Sequence, residues 1–457
     1  MRSWATVAAA VVATATLVTA LLAPGRDVPD PVVTVAGNTT VACPVGDPVF
    51  GQTTVVGAAD SLTWSTLGGE ASQPGPSVRV TDPAGAVVVT GDQSMGVLSL
   101  AVQQNKPVGL LCAMPSASGW WDGVWVNDQE KSAVVVTNLD ETTATVTITV
   151  LGDTGTLPVP ALRQIPVKRF ETRTVDLATF LAGANVTVTH PVAIELRADT
   201  GRVMAYLNSQ GSLGQDWRQS SVAPSTDLVI PGVPATSDEG TGSNRYLFVT
   251  NHGDNIARVQ VLGQGSGPAV PLAAANEGGD SGQTGASGLV VQAHTTTLVD
   301  VSQALSGETI GVVVHALPFA DGDQPQPVTA ALVVVGNDMG SVAAQPPLAG
   351  GLRLPVVKDS SLVATNPGPN AATLTLTSRD ETGQVTGSNQ VEVPVGTQAI
   401  PLTAETGATD VEVRGEGVRA VLVVPAVQGA PGLVVAPLGA GGASGLKVRL
   451  RYDPTLG

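Results

Sequence analysis

Short runs in which apolar residues alternate with Thr, Arg, Glu or Gln recur along this chain, as in Thr145-Val-Thr-Ile-Thr-Val150 and Ala257-Arg-Val-Gln-Val261. A period of two puts one face of each run in a core and the other in water, which predicts packed antiparallel sheets rather than helices or parallel α/β. Turn formers such as Asp82-Pro-Ala-Gly85 and Gly91-Asp92 separate the runs. Three runs end in the same dipeptide: Ser132-Ala-Val-Val-Val-Thr-Asn138, Tyr246-Leu-Phe-Val-Thr-Asn251 and Ser361-Leu-Val-Ala-Thr-Asn366. Their threonines, Thr137, Thr250 and Thr365, stand 113 and 115 residues apart, close to the roughly 100 residues of one β-sandwich. Each Asn precedes a turn (Leu139-Asp140, His252-Gly253-Asp254, Pro367-Gly368). Its side chain can bond the backbone of that turn, so these asparagines are assigned to turn chemistry.

The middle copy predicts seven strands: Leu228–Ile230, Tyr246–Thr250, Ala257–Val261, Gly288–Gln292, Thr296–Asp300, Ile310–Val314 and Val328–Val333. Seven short antiparallel strands suit an immunoglobulin-like or fibronectin-like sandwich. The expected class is all-β: tandem β-sandwich modules at 116–225, 226–345 and 346–440, with a divergent module at 32–115 and a tail at 441–457. In the second module Thr172–Asp176 and Val186–Val188 also read as strands. Met339 to Gly351 reads as a linker, and Gly-rich Asn276 to Ser287 as an inserted loop.

Composition narrows the partners. Aromatic residues make up only 3%, so the core must be built from β-branched side chains. A net charge of −16, with no Lys/Arg run able to neutralise a row of phosphates, disfavours nucleic acid. Residues 1–31 predict an export segment: Arg2, an uncharged run from Ala5 to Ala23, then Pro24-Gly25. A cleaved signal and an uncleaved membrane anchor both fit, and either places the rest of the chain outside the cytoplasm. Cys43 and Cys112 are the only cysteines; an even pair in one exported region predicts a disulfide.

Taken together, Thr137-Asn138, Thr250-Asn251 and Asn366-Pro367, followed by Thr174-Val175-Asp176 and Leu298-Val299-Asp300, resemble a family of actinobacterial extracytoplasmic proteins carrying a domain of unknown function. The resemblance runs from about Cys43 to Pro437 and implies fold rather than activity. Its usual setting beside envelope-polysaccharide glycosyltransferases implies cell-envelope work. The third copy has Ile400-Pro401-Leu402 in place of Val-Asp, so no role is given to that Asp.

No catalytic, cofactor or metal residue is expected. Gly279-Asp280-Ser281-Gly282 is similar to a serine-protease nucleophile segment, but His252 lacks the setting of a catalytic base. His190, His294 and His315 show no metal-ligand spacing, and Asp321-Gly322-Asp323 lacks the further oxygen ligands calcium needs. Trp120, Trp121 and Trp125 gather half of the six tryptophans. If extended, this segment puts Trp121 and Trp125 on one face and Trp120 on the other. Two readings follow: a hydrophobic plug between modules, or a stacking surface for sugar rings with Asp122 and Asn127 as hydrogen-bond partners. The leading functional expectation is a non-enzymatic envelope scaffold or interaction protein binding an envelope protein or polysaccharide. A carbohydrate-binding protein is the alternative, and an enzyme is disfavoured.

Overall fold

A computed structural model describes residues 32–35, 39–45, 52–233, 244–272, 288–305, 309–320, 322–336, 338–348, 350–402, 407–439 and 446–449. The export segment and the loop containing Ser281 lie outside the described residues. Among the described residues no helix is long and apolar enough to cross a membrane.

All the sheets are antiparallel. In the region around Asn251, one sheet runs in the order Asp227–Val233, Ile310–Leu317, Ala257–Gln264, Val270–Pro271, with Leu289–Val291 also pairing with Ala257–Gln264. The other runs Thr295–Asp300, Asn244–Asn251, Val328–Val335, Met339–Ala343. Ile230, Val259 and Val312 from the first sheet meet Leu247, Leu332 and Val299 from the second in one core. The alternation in Ala257–Gln264 is what makes this possible, since its odd-numbered residues up to Gly263 are buried and the residues between them are not. The regions around Asn138 and Asn366 repeat the same strand order.

Each signature asparagine does the same work. Asn251 donates from Nδ2 to the carbonyls of Asn255, Val291 and Gln292, while its Oδ1 accepts from the Gly253 amide. Asn138 and Asn366 do this with Thr142 and Asn370, with Val167 and Val393, and with the amides of Asp140 and Gly368. The turn assignment therefore holds, and the amide also ties the turn to the chain entering a later strand. Beside each Asn, a threonine hydroxyl meets one on the neighbouring strand: Thr137 with Thr172, Thr250 with Thr296, Thr365 with Thr397, all at 2.9–3.0 Å.

Several expectations are corrected. The first region has one six-stranded sheet, Thr39–Cys43, Val87–Gly91, Thr53–Thr66, Gly96–Gln103, Lys106–Leu111, with Gly75–Thr81 on the long Thr53–Thr66 strand. Val32–Val35 is no part of it. That strand pairs with Leu446–Arg449, inside the stretch read as a tail, and the two form a separate unit. Val186–Val188 is not a strand, because Asp176 caps a helix, Leu177–Gly183, by accepting from the Ala178 amide. Met339–Ala343, read as linker, is a strand on Val328–Val335, held in place by burial of Met339 and Val342.

That strand shows how residues 37–444 form one compact unit. The last strands of the four regions, Lys106–Leu111, Gly214–Arg218, Met339–Ala343 and Ala430–Pro437, touch one another in a closed cycle, the fourth returning to the first. Asp338 stitches three of them, accepting from the Gln215, Met339 and Leu433 amides. A Cβ on Gly432 would run into Pro107 and Asp338, so only glycine admits this approach. Closure is reinforced by Arg353, whose side chain is 1% exposed. It forms a two-pronged pair with Asp410 at 2.9 and 2.8 Å, and a third bond to Asp60 of the first region at 2.9 Å.

The predicted disulfide is present: Cys43 and Cys112, 69 residues apart, join the ends of the first sheet. Replacing both by Ser is expected to cost about 4 kcal/mol by loop-closure entropy, read by denaturant unfolding; an unchanged midpoint would contradict this. Arg353→Ala strands two carboxylates, one of them fully buried, and is expected to cost about 3–5 kcal/mol. The same titration and faster proteolysis of the first and fourth regions would show it.

Candidate functional site

Side chains able to do chemistry concentrate at the junction between the second and third regions. Ser118–Val124 crosses it, because Gly123, at φ 66°, breaks the strand's alternation. A Cβ there would overlap the Phe248 ring. Trp121 therefore points into the second region's core, 2% exposed, its indole N–H donating to the Arg218 carbonyl at 3.0 Å. Trp125 turns instead onto the third region, edge-on to Phe248 at 5.3 Å and tilted on Tyr246 at 6.1 Å. The two do not share a face as expected, and Trp121 offers no surface to a sugar ring. Trp120 is half-buried and lines a recess of about 300 Å³ with Ser116, Ser118 and Ser220. Asn127 is committed to its turn, accepting from the Gln129 and Glu130 amides.

Asp122 is buried and faces the third region, where it accepts from the Thr329 hydroxyl at 2.7 Å. Thr329 in turn contacts His252 Nε2 at 2.9 Å, and His252 Nδ1 meets Glu195 of the second region at 3.3 Å. Burial holds the Asp122 carboxyl above the usual carboxylate range, against the opposing pull of His252 and its threonine partners. Glu195 lies below its usual range, chiefly through its bond to His252 and despite partial burial. A carboxylate, a hydroxyl, an imidazole and a second carboxylate thus form one chain, of which the sequence singled out Asp122 and His252, each for another role, and neither Thr329 nor Glu195. The chain spans the junction from buried Asp122 to partly exposed Glu195.

A second polar group lies beside the central strands. Asp216 accepts from the Ser341 hydroxyl at 2.7 Å, and burial pushes its carboxyl up to about 7. Arg218 donates to the carbonyls of Asp122 and Gly123. His294 and His315 pair at the surface with Asp254 and Asp227, and Asp323 accepts from the Ala320 amide. No cluster of metal-ligating side chains occurs among the described residues.

A family model of unknown function, DUF5719, matches residues 70–403. The chain belongs to the DUF5719 family. No curated protein matches it. The DUF5719 match starts inside the first region and ends within the fourth, so it spans all the junctions between consecutive regions rather than a single repeat.

A cleft of about 670 Å³ lies between the first two regions, lined by Thr66, Asp82, Thr137, Phe170, Thr172 and Thr174. Phe170, 37% exposed and at φ 52°, forms part of its wall, its Cβ and ring lying over Gly68 of the first region. Phe170 and the partner threonines were not singled out in the sequence, because a threonine on an outward strand face looks the same whether it is covered or open.

Because the folded pKa of Glu195 lies below the ordinary value of 4.5, its contribution is complete above that pH and is lost as pH falls through the lower folded value. Glu195→Gln is therefore expected to lower stability at neutral pH and flatten the acid limb, with stability converging on that of the unmodified protein at the acid end. Denaturant titrations from pH 3 to 7 would check this; an unaltered acid limb would contradict it.

Proposed function

We infer that this DUF5719 protein is a non-enzymatic, extracytoplasmic interaction protein of the cell envelope, a ring of β-sandwich modules that holds an envelope protein or polysaccharide. The modules correspond to 116–225, 226–345 and 346–440, with the divergent first region, less Val32–Val35, closing the ring. The observation that carries this reading is where the reactive side chains sit. Asp122, His252, Glu195, Asp216 and Arg353 all bond across or beside junctions, so their chemistry is spent on fixing the modules relative to one another. Rigid presentation of surface is what such an investment favours. The Cys43–Cys112 disulfide supports an oxidising compartment, and the Arg2 to Ala23 segment supports export with a membrane anchor or a cleaved signal. An actinobacterial origin agrees with the sequence resemblance.

Polysaccharide binding is kept as a second reading because the half-buried Trp120 lines a serine-rich recess. The test is to immobilise the protein and challenge it with a detergent-solubilised native envelope fraction, assaying retained protein and polymer separately. Saturable retention that is lost in Arg353→Ala, where the ring is loosened, is the expected result. Turnover of any envelope polymer would overturn the non-enzymatic reading.

A further inference from the structure

The polar chain between the second and third regions belongs to one repeat only. Strand register places Met204, Thr329 and Arg419 opposite Thr137, Thr250 and Thr365. The residue after the signature asparagine is Leu139, His252 or Pro367. The regions around Asn138 and Asn366 therefore lack a hydroxyl and an imidazole at these two places, yet their threonine pairs, Thr137–Thr172 and Thr365–Thr397, form all the same. The fold of a repeat does not call for the grouping of Asp122, Thr329 and His252.

Thr329 is the centre of that grouping. Its hydroxyl has one proton and two neighbours, Asp122 Oδ1 at 2.7 Å and His252 Nε2 at 2.9 Å. Glu195 meets the other ring nitrogen at 3.3 Å, so Nε2 is the one turned to the hydroxyl. The carboxyl carbon of Asp122 lies one bond beyond Oδ1, next to the same hydroxyl oxygen. Water is kept out: Thr329 is 0% exposed, Asp122 1% and the His252 side chain 8%. Asp122 Oδ2 is buried without a hydrogen-bond partner, an unfavourable state for an acid and worse for a carboxylate. Burial also holds this carboxyl above the usual carboxylate range, which favours the acid, the form open to attack by a hydroxyl.

We propose that Thr329 and Asp122 condense to an ester that joins the third region covalently to the second, across 207 residues of sequence. His252 Nε2 takes the hydroxyl proton as Thr329 Oγ1 bonds to the Asp122 carboxyl carbon. The proton then passes to Oδ2, which carries the carboxyl's own hydrogen, and the bond from carbon to Oδ2 breaks to release one water. His252 ends as it began, and no co-reactant enters. An ester between separate molecules in water hydrolyses. Two groups held in contact act at an effective concentration on the order of 10⁵ M or more, and the dry junction keeps water from reversing the step. The bond also removes the unpartnered Oδ2 and the buried titratable carboxyl. The step occurs once per chain, without turnover. It does not depend on what the ring binds, so its failure would leave the interaction role standing.

The test uses the whole disulfide-bonded protein, incubated folded at neutral pH, then denatured, digested and read by mass spectrometry. The expected product is one branched peptide containing Asp122 and Thr329, lighter by one water than its two linear parts together. Hydroxylamine, which cleaves esters, should split it and leave a hydroxamate on Asp122. Thr329→Val should yield the linear peptides only, whereas Thr329→Ser, which keeps the hydroxyl, should restore the branched one. In His252→Gln, with native circular dichroism confirmed, the branched peptide should accumulate about a hundredfold more slowly. Linear peptides alone from the unmodified protein after prolonged incubation overturn the proposal. So does a branched peptide that persists in Thr329→Val, and an unslowed reaction in His252→Gln overturns the proton route assigned to the imidazole.

Discussion

The buried carboxamide of Asn138, Asn251 and Asn366 is the interaction on which the rest of the fold depends. A side-chain amide at 0–3% exposure must satisfy its donors and its acceptor inside the protein. Only one backbone arrangement does so: the turn after the strand curls to offer the carbonyl four residues on, and the chain entering a later strand passes close enough to offer another. With those two segments fixed, the neighbouring strand falls into the register that sets threonine against threonine. That pair then marks the face on which the preceding region docks. A local hydrogen-bonding requirement thereby propagates to the spacing of whole regions.

Ring closure adds a requirement no single repeat contains. Each region leaves its last strand at one side, and the four last strands can share a centre only if their backbones come close. Gly432 permits this sterically, and Asp338 permits it electrostatically by accepting amides from three strands. Arg353 works on the same closure from the other side, joining residues 293 apart in sequence. Polar junctions of this kind are costly to desolvate, and the raised carboxyl values of Asp122, Asp216 and Asp338 report that burial cost. Their compensation is geometric: an apolar seam lets neighbours slide, whereas a carboxylate bonded to one named hydroxyl or amide admits one relative placement.

What could be read from the sequence follows from the range of the interactions involved. Strand periodicity, the Thr-Asn turn and the cysteine pairing are local patterns or follow from composition, and the middle region's strands lie close to where alternation puts them. Met339–Ala343 was hidden because its short apolar stretch sits among Gly and Pro residues, and its partners are the last strands of other regions. Trp121 and Trp125 were misplaced because strand parity assumes an unbroken pleat, and Gly123 breaks it at φ 66°. The junction chain from Asp122 through Thr329 and His252 to Glu195 joins four segments, and no spacing along the sequence marks it.

The first junction differs from the later two. The Thr296 and Thr397 amides meet the Gly152 and Gly265 carbonyls of the preceding region, whereas Thr172 at the corresponding place is exposed while its partner Thr137 is buried. A linear repeat could leave such a face to solvent at no consequence. In a closed ring the first region must still touch both neighbours, and here it does so through apolar residues, Ala42, Ala101 and Val108, packed with Val135, Met204 and Tyr206 of the second region, and through the Arg353–Asp60 contact with the fourth. The first junction is thus closed by apolar packing where the later ones add polar contacts onto their threonine pairs, and Thr172 and Thr174 remain exposed at its edge.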